Sequence, residues 1–249
     1  MAEFRDVQKF VREANRVTRL PDLETLLIGM VETLGFDHVA LVHHFSVRAS
    51  STEAVEILNY PQAWQDLIID RSYFTDDPIL TACQNSAAAF RWSQVGDVIP
   101  LTQRHREILA SAARCGLGEG FSVPVVVPGE FLGSCSFGVK KGRALPEPML
   151  PAAQYVACFA FEAARRIQRS SREARNQKRP QLTPRQFDCL VLVAQGKSDW
   201  DIGQLLGISP LTAHQHIEDA KRRYGVASRS QLIVRALFDN QIAFSDIIH

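Results

Sequence analysis

The chain has few of the residues that covalent cross-links or metal centres require. It holds five cysteines in 249 residues, namely Cys83, Cys115, Cys135, Cys158 and Cys189. Their number is odd and no two have Cys-x-x-Cys spacing, which argues against a disulfide framework and against a zinc site. We therefore expect free, buried thiols in a reducing compartment, with no metal and no cofactor.

Long apolar runs and catalytic motifs are missing as well. No stretch approaches the roughly 18 consecutive apolar residues of a membrane-spanning helix. Residues 1–19 mix charged and apolar side chains, which indicates an amphipathic helix and not a signal peptide. A Gly-x-Ser-x-Gly elbow, a P-loop and a Gly-x-Gly-x-x-Gly loop are all absent. These absences favour a cytoplasmic protein that is not an enzyme.

Net charge is low too, at only +1, but the charges are unevenly distributed. From residue 165 onward there are 14 Lys and Arg against 8 Asp and Glu, whereas the first 164 residues hold 14 against 19. The length suits one large and one small domain, and a hydrophobic fraction of 46% is enough for a substantial core. The basic carboxy-terminal part has the charge expected of a module that binds duplex DNA.

The region after residue 180 contains the signals of three helix starts. Thr183 followed by Pro184 and Gln186 predicts a capping box with proline at the first helical position. Ser198 and Ser209 predict the starts of the next two helices. The short glycine-bearing turn between those two helices is typical of a helix-turn-helix.

Apolar residues recur at helical spacing in this region, so each helix should bury one face. The residues predicted to be buried are Leu190, Val193, Ala194, Ile202, Leu205, Leu206, Ala213, Ile217 and Ala220. The third helix then exposes a polar face suited to a DNA major groove, formed by His214, Gln215, Glu218, Lys221 and Arg222. An ordinary three-helix bundle with a solvated polar face is the alternative.

A polar, basic stretch at residues 169–180 predicts a linker between domains at 1–168 and 181–249. In the first domain, helices are predicted near residues 4–18, 22–34, 61–71, 78–85, 102–116 and 147–168. Strands are predicted at residues 39–42, 53–57, 121–127 and 134–139, with a hairpin turn at 128–130. The predicted fold class is α+β: an N-terminal α/β/α sandwich on a mainly antiparallel sheet, followed by an all-α helix-turn-helix domain.

Aromatic residues make up only 8% of the chain, yet several lie near a pair of carboxylates. Trp64 and Trp92 are two of the three tryptophans, and they flank Asp76 and Asp77, with Tyr60 nearby. Indole N–H groups donate and carboxylates accept, so an apolar pocket with these groups could hold a small amide- or ester-bearing ligand. Plain aromatic core packing is the alternative.

The carboxy-terminal region resembles the DNA-binding domain of the LuxR family, whose pattern is Leu-Thr-x-Arg-Glu, Gly-Lys, Glu-Ile-Ala and Ser-x-x-Thr-Val-x-x-His. The matching positions include Leu182, Thr183, Arg185, Gly196, Lys197, Ile202, Ser209, Thr212, His216 and Arg229. Gln186, Asp201 and Gly203 depart from the pattern, and Gly203 should weaken its helix by roughly 1 kcal/mol relative to Ala.

We predict contacts to base edges from His214, Gln215 and Glu218, with Lys221 on the same helix. Contacts to phosphates are predicted from Thr183, Lys197, Thr212, His216, Arg222 and Arg229. A lone module makes few base contacts, so a homodimer on a palindromic promoter site is expected. The candidate dimer surfaces are the helix ending near Gln168 and the last helix, through Leu232, Ile233 and Leu237. Contact with the transcription machinery would follow.

The first domain resembles the acyl-homoserine-lactone-binding domain of the same family, with matches at Tyr60, Trp64, Asp77, Pro78, Trp92 and Gly120. The resemblance implies that Trp64 donates to the lactone carbonyl and that Asp77 accepts the ligand amide N–H. It implies that Tyr60 and Ser136 bond the acyl carbonyl and that Trp92 encloses the ring. The chain is thus similar to quorum-sensing transcriptional regulators that bind a small autoinducer.

Ile68 stands where the family usually has Tyr, four residues after Trp64. The pocket should therefore be roomier and less polar, which predicts a bulkier acyl or aryl chain or a non-lactone signal. Alternatively, Ile68 simply packs there and ordinary lactones bind. A regulator that acts independently of ligand and a lactone hydrolase are further alternatives. A phosphorylated response regulator is disfavoured because the chain opens with two helices.

Overall fold

The computed structural model describes residues 4–44, 55–127, 132–174 and 180–248. The chain divides into two units, the larger within residues 1–175 and the smaller holding the residues from 176 on. Within the described residues, no helix is both long and apolar enough to cross a membrane.

The larger unit is built on one five-stranded sheet. Its strands are β1 (His38–His43), β2 (Glu56–Leu58), β3 (Phe90–Arg91), β4 (Leu117–Val125) and β5 (Gly133–Lys140). They lie in the order β2-β1-β5-β4-β3, and every neighbouring pair is antiparallel. The sheet is therefore antiparallel throughout, slightly beyond the mainly antiparallel sheet that was predicted.

Side chains alternate between the two faces of this sheet, and each face is covered by helices. In β5, Cys135, Phe137 and Val139 enter the main hydrophobic core, whereas Ser134 and Ser136 face the other side. The core side is covered by α1 (Phe4–Ala14), α2 (Leu20–Thr33) and α7 (Leu150–Ala174). The other side carries α3 (Gln62–Asp70), α4 (Pro78–Asn85), α5 (Val95–Val98) and α6 (Gln103–Arg114). The predicted α/β/α sandwich is confirmed.

Several boundaries differ from the prediction. Strand β4 begins at Leu117, four residues early, so Gly120 lies inside the strand and not before it. Neither β3 nor α5 was predicted, because elements of two and four residues have no detectable periodicity. Helix α7 continues through residues 169–174 of the predicted linker. Three predicted segments lie outside the described residues: the hairpin turn at 128–130, the strand residues 53–54 and the linker residues 175–179. The domain boundaries stay a prediction.

The smaller unit contains four α-helices in its described part, α8 (Pro184–Ala194), α9 (Asp199–Leu206), α10 (Pro210–Tyr224) and α11 (Arg229–Phe238). The side chains of Thr183, Ser198 and Ser209 each accept a bond from a backbone N–H in the first turn of the following helix, as predicted. Gly207 ends α9 with φ +65°, a left-handed conformation that glycine adopts without strain. The predicted helix-turn-helix is confirmed.

The core of the smaller unit contains most of the residues predicted for it, including Leu190, Ile202, Ala213, Ile217 and Ala220. The prediction that Leu205 is buried is wrong, because this residue is 60% exposed. Gly203 is buried on that helix instead. Leu232 is also fully buried in this core, so it is not available as the dimer contact that was predicted. On α11 the large exposed apolar side chain is Val234.

All five thiols are free, and Cys83, Cys135 and Cys189 are buried as expected. Cys158 on α7 is exposed and Cys115 is only partly buried, so these two thiols depart from the expectation.

Candidate ligand cavity and nucleic-acid interface

A cavity of about 600 Å³ lies between the sheet and the helical layer formed by α3, α4 and α6. Its wall includes all six residues predicted for the ligand site, namely Tyr60, Trp64, Ile68, Asp77, Trp92 and Ser136. The structure therefore brings together side chains from a loop, two helices and a strand that are up to 76 positions apart in sequence. A cavity of this volume can enclose a small organic ligand.

Trp64 is supported at this cavity by a series of side-chain contacts. It lies in α3 with only 3% of its surface exposed, and its ring contacts that of Tyr73 at a centroid distance of 5.9 Å. The guanidinium of Arg104 sits over the Tyr73 ring, 4.7 Å from its centroid, and forms an ion pair with Asp76. Asp76 therefore holds Arg104 against Tyr73, and the carboxylate that faces the cavity is that of Asp77.

Asp77 caps α4 and also lines the cavity. Its Oδ1 accepts a hydrogen bond from the Ile79 N–H at 2.8 Å, and Pro78 occupies the first helical position. Burial raises the pKa of this carboxyl to about 6, although backbone hydrogen bonds from Ile79 and Leu80 act in the opposite direction. Without a further donor, the carboxyl is close to half protonated just below neutral pH.

A chain of hydroxyl groups lies under the opposite part of the cavity. The Trp92 Nε1–H donates to Ser122 Oγ at 2.9 Å, and Ser122 Oγ is 2.7 Å from Ser136 Oγ on the facing strand. Tyr60 forms a hydrogen bond with Ser136, and burial raises its phenol pKa, so the phenol stays neutral and able to donate. The sequence did not predict the role of Ser122 in this series of hydroxyl groups, although Ser122 lies two residues after Gly120 on the same face of the strand.

Gly120 is required by the indole of Trp92. A Cβ atom built at this position would lie 2.2 Å from the Trp92 ring, a distance that no side chain tolerates. The Trp92 ring also makes an edge contact with Tyr60 at 6.4 Å. Since its N–H is already bonded to Ser122, Trp92 presents its ring to the cavity and not its donor.

The remaining wall is mainly apolar, and His44 is one of the polar residues in it that were not predicted for the ligand site. Ile68 is 7% exposed and packs with Trp64, Ile108 and Leu117. His44 also lines the cavity and lies 2.8 Å from Ser134 through Nε2. Burial lowers the pKa of His44 to about 4, so the ring is neutral at physiological pH.

In the smaller unit, the exposed face of α10 carries the polar side chains predicted to reach DNA. Most of them are paired along the helix: Gln215 and Arg222 both bond to Asp219, and Lys221 bonds to Glu218 at 2.8 Å. The Gln215 and Arg222 contacts with Asp219 are exposed and contribute little to stability, so DNA phosphates can replace Asp219. The Lys221–Glu218 pair is partly buried, so Lys221 is less exposed than predicted.

The other predicted DNA contacts are arranged around the helix starts. Thr183 is the α8 cap, and Thr212 Oγ1 lies 2.8 Å from the hydroxyl of Ser209, the α10 cap. Lys197 is exposed just before α9, whereas His216 is half-buried on α10. Thr183 accepts in its local bond and remains able to donate through its hydroxyl, whereas either hydroxyl of the Ser209–Thr212 pair can be the donor.

Asp199 is a residue of this surface that sequence reasoning missed. Its carboxylate lies 2.7 Å from Arg229 Nη2 through each oxygen and 3.0 Å from His214 Nδ1. Burial opposes the charge, but hydrogen bonds from Arg229 and His214 outweigh it and lower the pKa of Asp199. Two predicted DNA contacts are therefore tied to one carboxylate.

Comparison with known proteins gives two family matches that together span most of the chain. Residues 21–164 match the family described as autoinducer binding domain. Residues 180–236 match the family described as bacterial regulatory proteins, luxR family.

Individual relatives match at modest identity. A putative HTH-type transcriptional regulator of Sinorhizobium fredii, y4qH, is 30% identical over 78% of this chain and 59% of its own length. The transcriptional activator VanR of Vibrio anguillarum is 26% identical over 95% of this chain and 97% of its own. Among solved structures, Escherichia coli SdiA superposes with a TM-score of 0.73 at 19% identity, covering 96% of this chain and 99% of that one. SdiA in complex with octanoyl-rac-glycerol gives a TM-score of 0.70 at 18% identity, with coverage of 96% and 97%.

Proposed function

The chain belongs to the luxR family of bacterial regulatory proteins, as a transcriptional regulator with an autoinducer-binding domain and a helix-turn-helix domain, and we propose that the 600 Å³ cavity is its signal site. The observation that carries this proposal is the convergence of six separately predicted side chains on one cavity wall. Such convergence is what ligand recognition requires and what simple core packing does not.

The proposed ligand is an N-acyl-homoserine lactone. Its amide N–H would donate to Asp77, whose buried carboxyl faces the cavity. Its acyl carbonyl would accept from Tyr60 or Ser136 at the end of the hydroxyl chain, and its lactone carbonyl would accept from the Trp64 indole. The apolar wall around Ile68 would take up hydrophobic parts of the ligand.

An acylglycerol or another non-lactone ester is the second candidate. Two observations favour it: Ile68 offers no hydroxyl beside Trp64, and the structurally similar SdiA has been solved with octanoyl-rac-glycerol. Such a ligand would place its ester carbonyl at Tyr60 or Ser136, and glycerol hydroxyls could donate to Asp77 in place of the amide N–H.

We further propose that the helix-turn-helix binds a palindromic promoter site as a homodimer, because one module offers few base contacts. The exposed side of α7, which includes Tyr155 and Cys158, is the proposed dimer surface in the first unit. On α11 the exposed Val234 replaces Leu232 in this role. Contact with the transcription machinery is part of the same proposal.

The test measures thermal unfolding of the full chain with and without N-octanoyl-homoserine lactone. At a lactone concentration of about 100 times the dissociation constant, binding should raise the free energy of unfolding of the larger unit by roughly 2.7 kcal/mol. Trp64→Phe and Asp77→Asn should each weaken binding by about ten- to a hundredfold, because the first removes the buried indole N–H donor and the second replaces a charged acceptor with a weaker neutral amide oxygen. Trp200→Phe is the matched control, since Trp200 is 62% exposed in the other unit.

If the lactone gives no stabilisation but octanoyl-glycerol does, the second candidate holds. If both compounds leave the unfolding temperature unchanged, the cavity is not a site for acyl signals.

A further inference from the structure

The carboxylate of Asp199 joins the starts of three helices in the smaller unit. It belongs to the first residue of α9, and it contacts His214 on α10 and Arg229 at the start of α11. Its side chain is 26% exposed and that of His214 is 48% exposed, so the contact lies at the edge of the unit and not in its core.

This contact fixes which nitrogen of His214 carries the proton. An ionised carboxylate only accepts hydrogen bonds, so the His214 Nδ1 that lies 3.0 Å from Asp199 must donate. Arg229 does not compete for that nitrogen, because its Nη2 is 3.5 Å from Nδ1 but 2.7 Å from both carboxylate oxygens. In the neutral ring, Nε2 is therefore left with a lone pair and acts as an acceptor.

Within the described residues, no hydrogen bond to His214 Nε2 is present, and the ring lies on the exposed face of α10. The major groove offers two hydrogen-bond donors on base edges, the exocyclic amino groups of cytosine and adenine. We propose that Asp199 is a positioning residue for base recognition, which holds His214 so that Nε2 accepts from an amino-bearing base. This inference rests on the proposed DNA-binding function.

The experiment selects binding sites from a pool of duplexes with a randomised core, long enough for two half-sites about one helical turn apart. It is carried out at about pH 8, where histidine is ordinarily neutral. The full-length protein should prefer cytosine or adenine by about tenfold at one position of each half-site. Asp199→Asn, whose amide can either donate or accept, should reduce that preference below about threefold and leave the other positions unchanged.

Asp201→Asn is the matched control, because it removes the same charge from the same helix. The Asp201 side chain bonds to Ser198 and not to a residue of α10. This variant should leave the base preference intact. His214→Ala should remove the same preference as Asp199→Asn, and the double variant should resemble His214→Ala alone. If Asp199→Asn does not fold, Asp199→Ser serves instead, since a hydroxyl also allows both ring tautomers.

A uniform loss of affinity for all sequences in Asp199→Asn would show a purely structural or electrostatic role and overturn the inference. So would a His214→Ala variant that keeps the preference, or a preference for guanine or thymine at that position. If the unaltered protein selects no sequence at all, it is the proposed DNA-binding function that fails.

Discussion

At the scale of single residues, Asp77 combines a structural bond with a surface that faces the proposed ligand. Burial raises its pKa from 3.8 to about 6, so the folded protein without ligand binds more protons than the unfolded chain between these values. The contribution of Asp77 to stability is therefore fully present below about pH 4 and is lost as the pH rises through about 6. A ligand N–H stabilises the ionised form and reverses this effect.

We expect the affinity for N-octanoyl-homoserine lactone to rise with pH through about 6, by up to tenfold per pH unit, and then to level off. Calorimetric titrations below, near and above pH 6 measure this dependence, and the released proton appears as a buffer-dependent heat. Asp77→Asn is the control, since it cannot ionise. An equal pH dependence in that variant would assign the effect to another group.

Ile68 is the second residue for which the structure sharpens a prediction. It lines the cavity and packs against Trp64, so its replacement changes the wall beside the proposed lactone ring. Ile68→Tyr should narrow this region and favour short-chain lactones over bulky acyl or aryl ones by about tenfold. The measurement is a ranking of affinities across a ligand panel. An unchanged ranking would mean that Ile68 has only a packing role.

The residues of the cavity were predictable because tryptophan, tyrosine and paired carboxylates stand out in a sequence and the family pattern assigns them. Ser122 and Asp199 were not predictable in the same way. A buried serine is ordinary in a strand, and Asp199 has the position of a helix N-terminal acid. Their importance arises from partners 14 to 30 positions away, and only the tertiary structure shows those partners.

At the scale of elements, the turn between α9 and α10 explains why Gly203 stands where alanine was expected to give a more stable helix. Its helix propensity is poor, but a Cβ atom here would lie 2.8 Å from the Ile208 carbonyl oxygen and 3.2 Å from the Pro210 nitrogen. The glycine therefore permits a close approach of helix and turn. A gain in propensity from alanine should be offset by this clash with the backbone.

Gly203→Ala should accordingly not stabilise the smaller unit and should lower its free energy of unfolding if the turn cannot shift. Gly29→Ala in α2 is the matched control, because nothing lies within 4 Å of a Cβ atom there. That variant should stabilise the larger unit by up to about 1 kcal/mol. Urea denaturation of both variants measures the two effects. A similar gain at both positions would show that the turn adapts without cost.

Element boundaries followed the strength of the local signals. Helices α8, α9 and α10 begin where their capping residues predicted, since a cap is a short-range interaction written in consecutive residues. Strand β4 begins earlier than predicted because Leu117 pairs with Lys140 across a register shift that its own sequence does not reveal. Strand β3 exists only through its pairing with β4.

At the scale of the whole molecule, the uneven charge separates a basic part from an acidic one, and the basic part includes the DNA-binding unit. Affinity for any duplex should therefore fall steeply with salt, because each neutralised phosphate releases counterions. Arg222→Ala should weaken binding to all sequences alike and reduce the slope of log affinity against log salt by about one.

Gln215→Ala should instead relax the preference for one base, at a cost of about 1–3 kcal/mol on the preferred site only. Titrations of selected and scrambled duplexes at several salt concentrations separate the two effects. Arg185→Ala is the control for lost charge, since Arg185 is also exposed and also paired with an acid three residues along its helix. Equal behaviour of Gln215→Ala and Arg222→Ala would contradict the assignment.

The three tryptophans are distributed so that the protein contains its own optical reporters. Trp64 and Trp92 line the cavity, whereas Trp200 is exposed on α9 of the smaller unit. Intrinsic fluorescence of a Trp200→Phe variant would thus follow occupancy of the cavity alone. Conversely, a variant that keeps only Trp200 would follow events at the helix-turn-helix, so the order in which the two units respond to a signal could be timed without an attached dye.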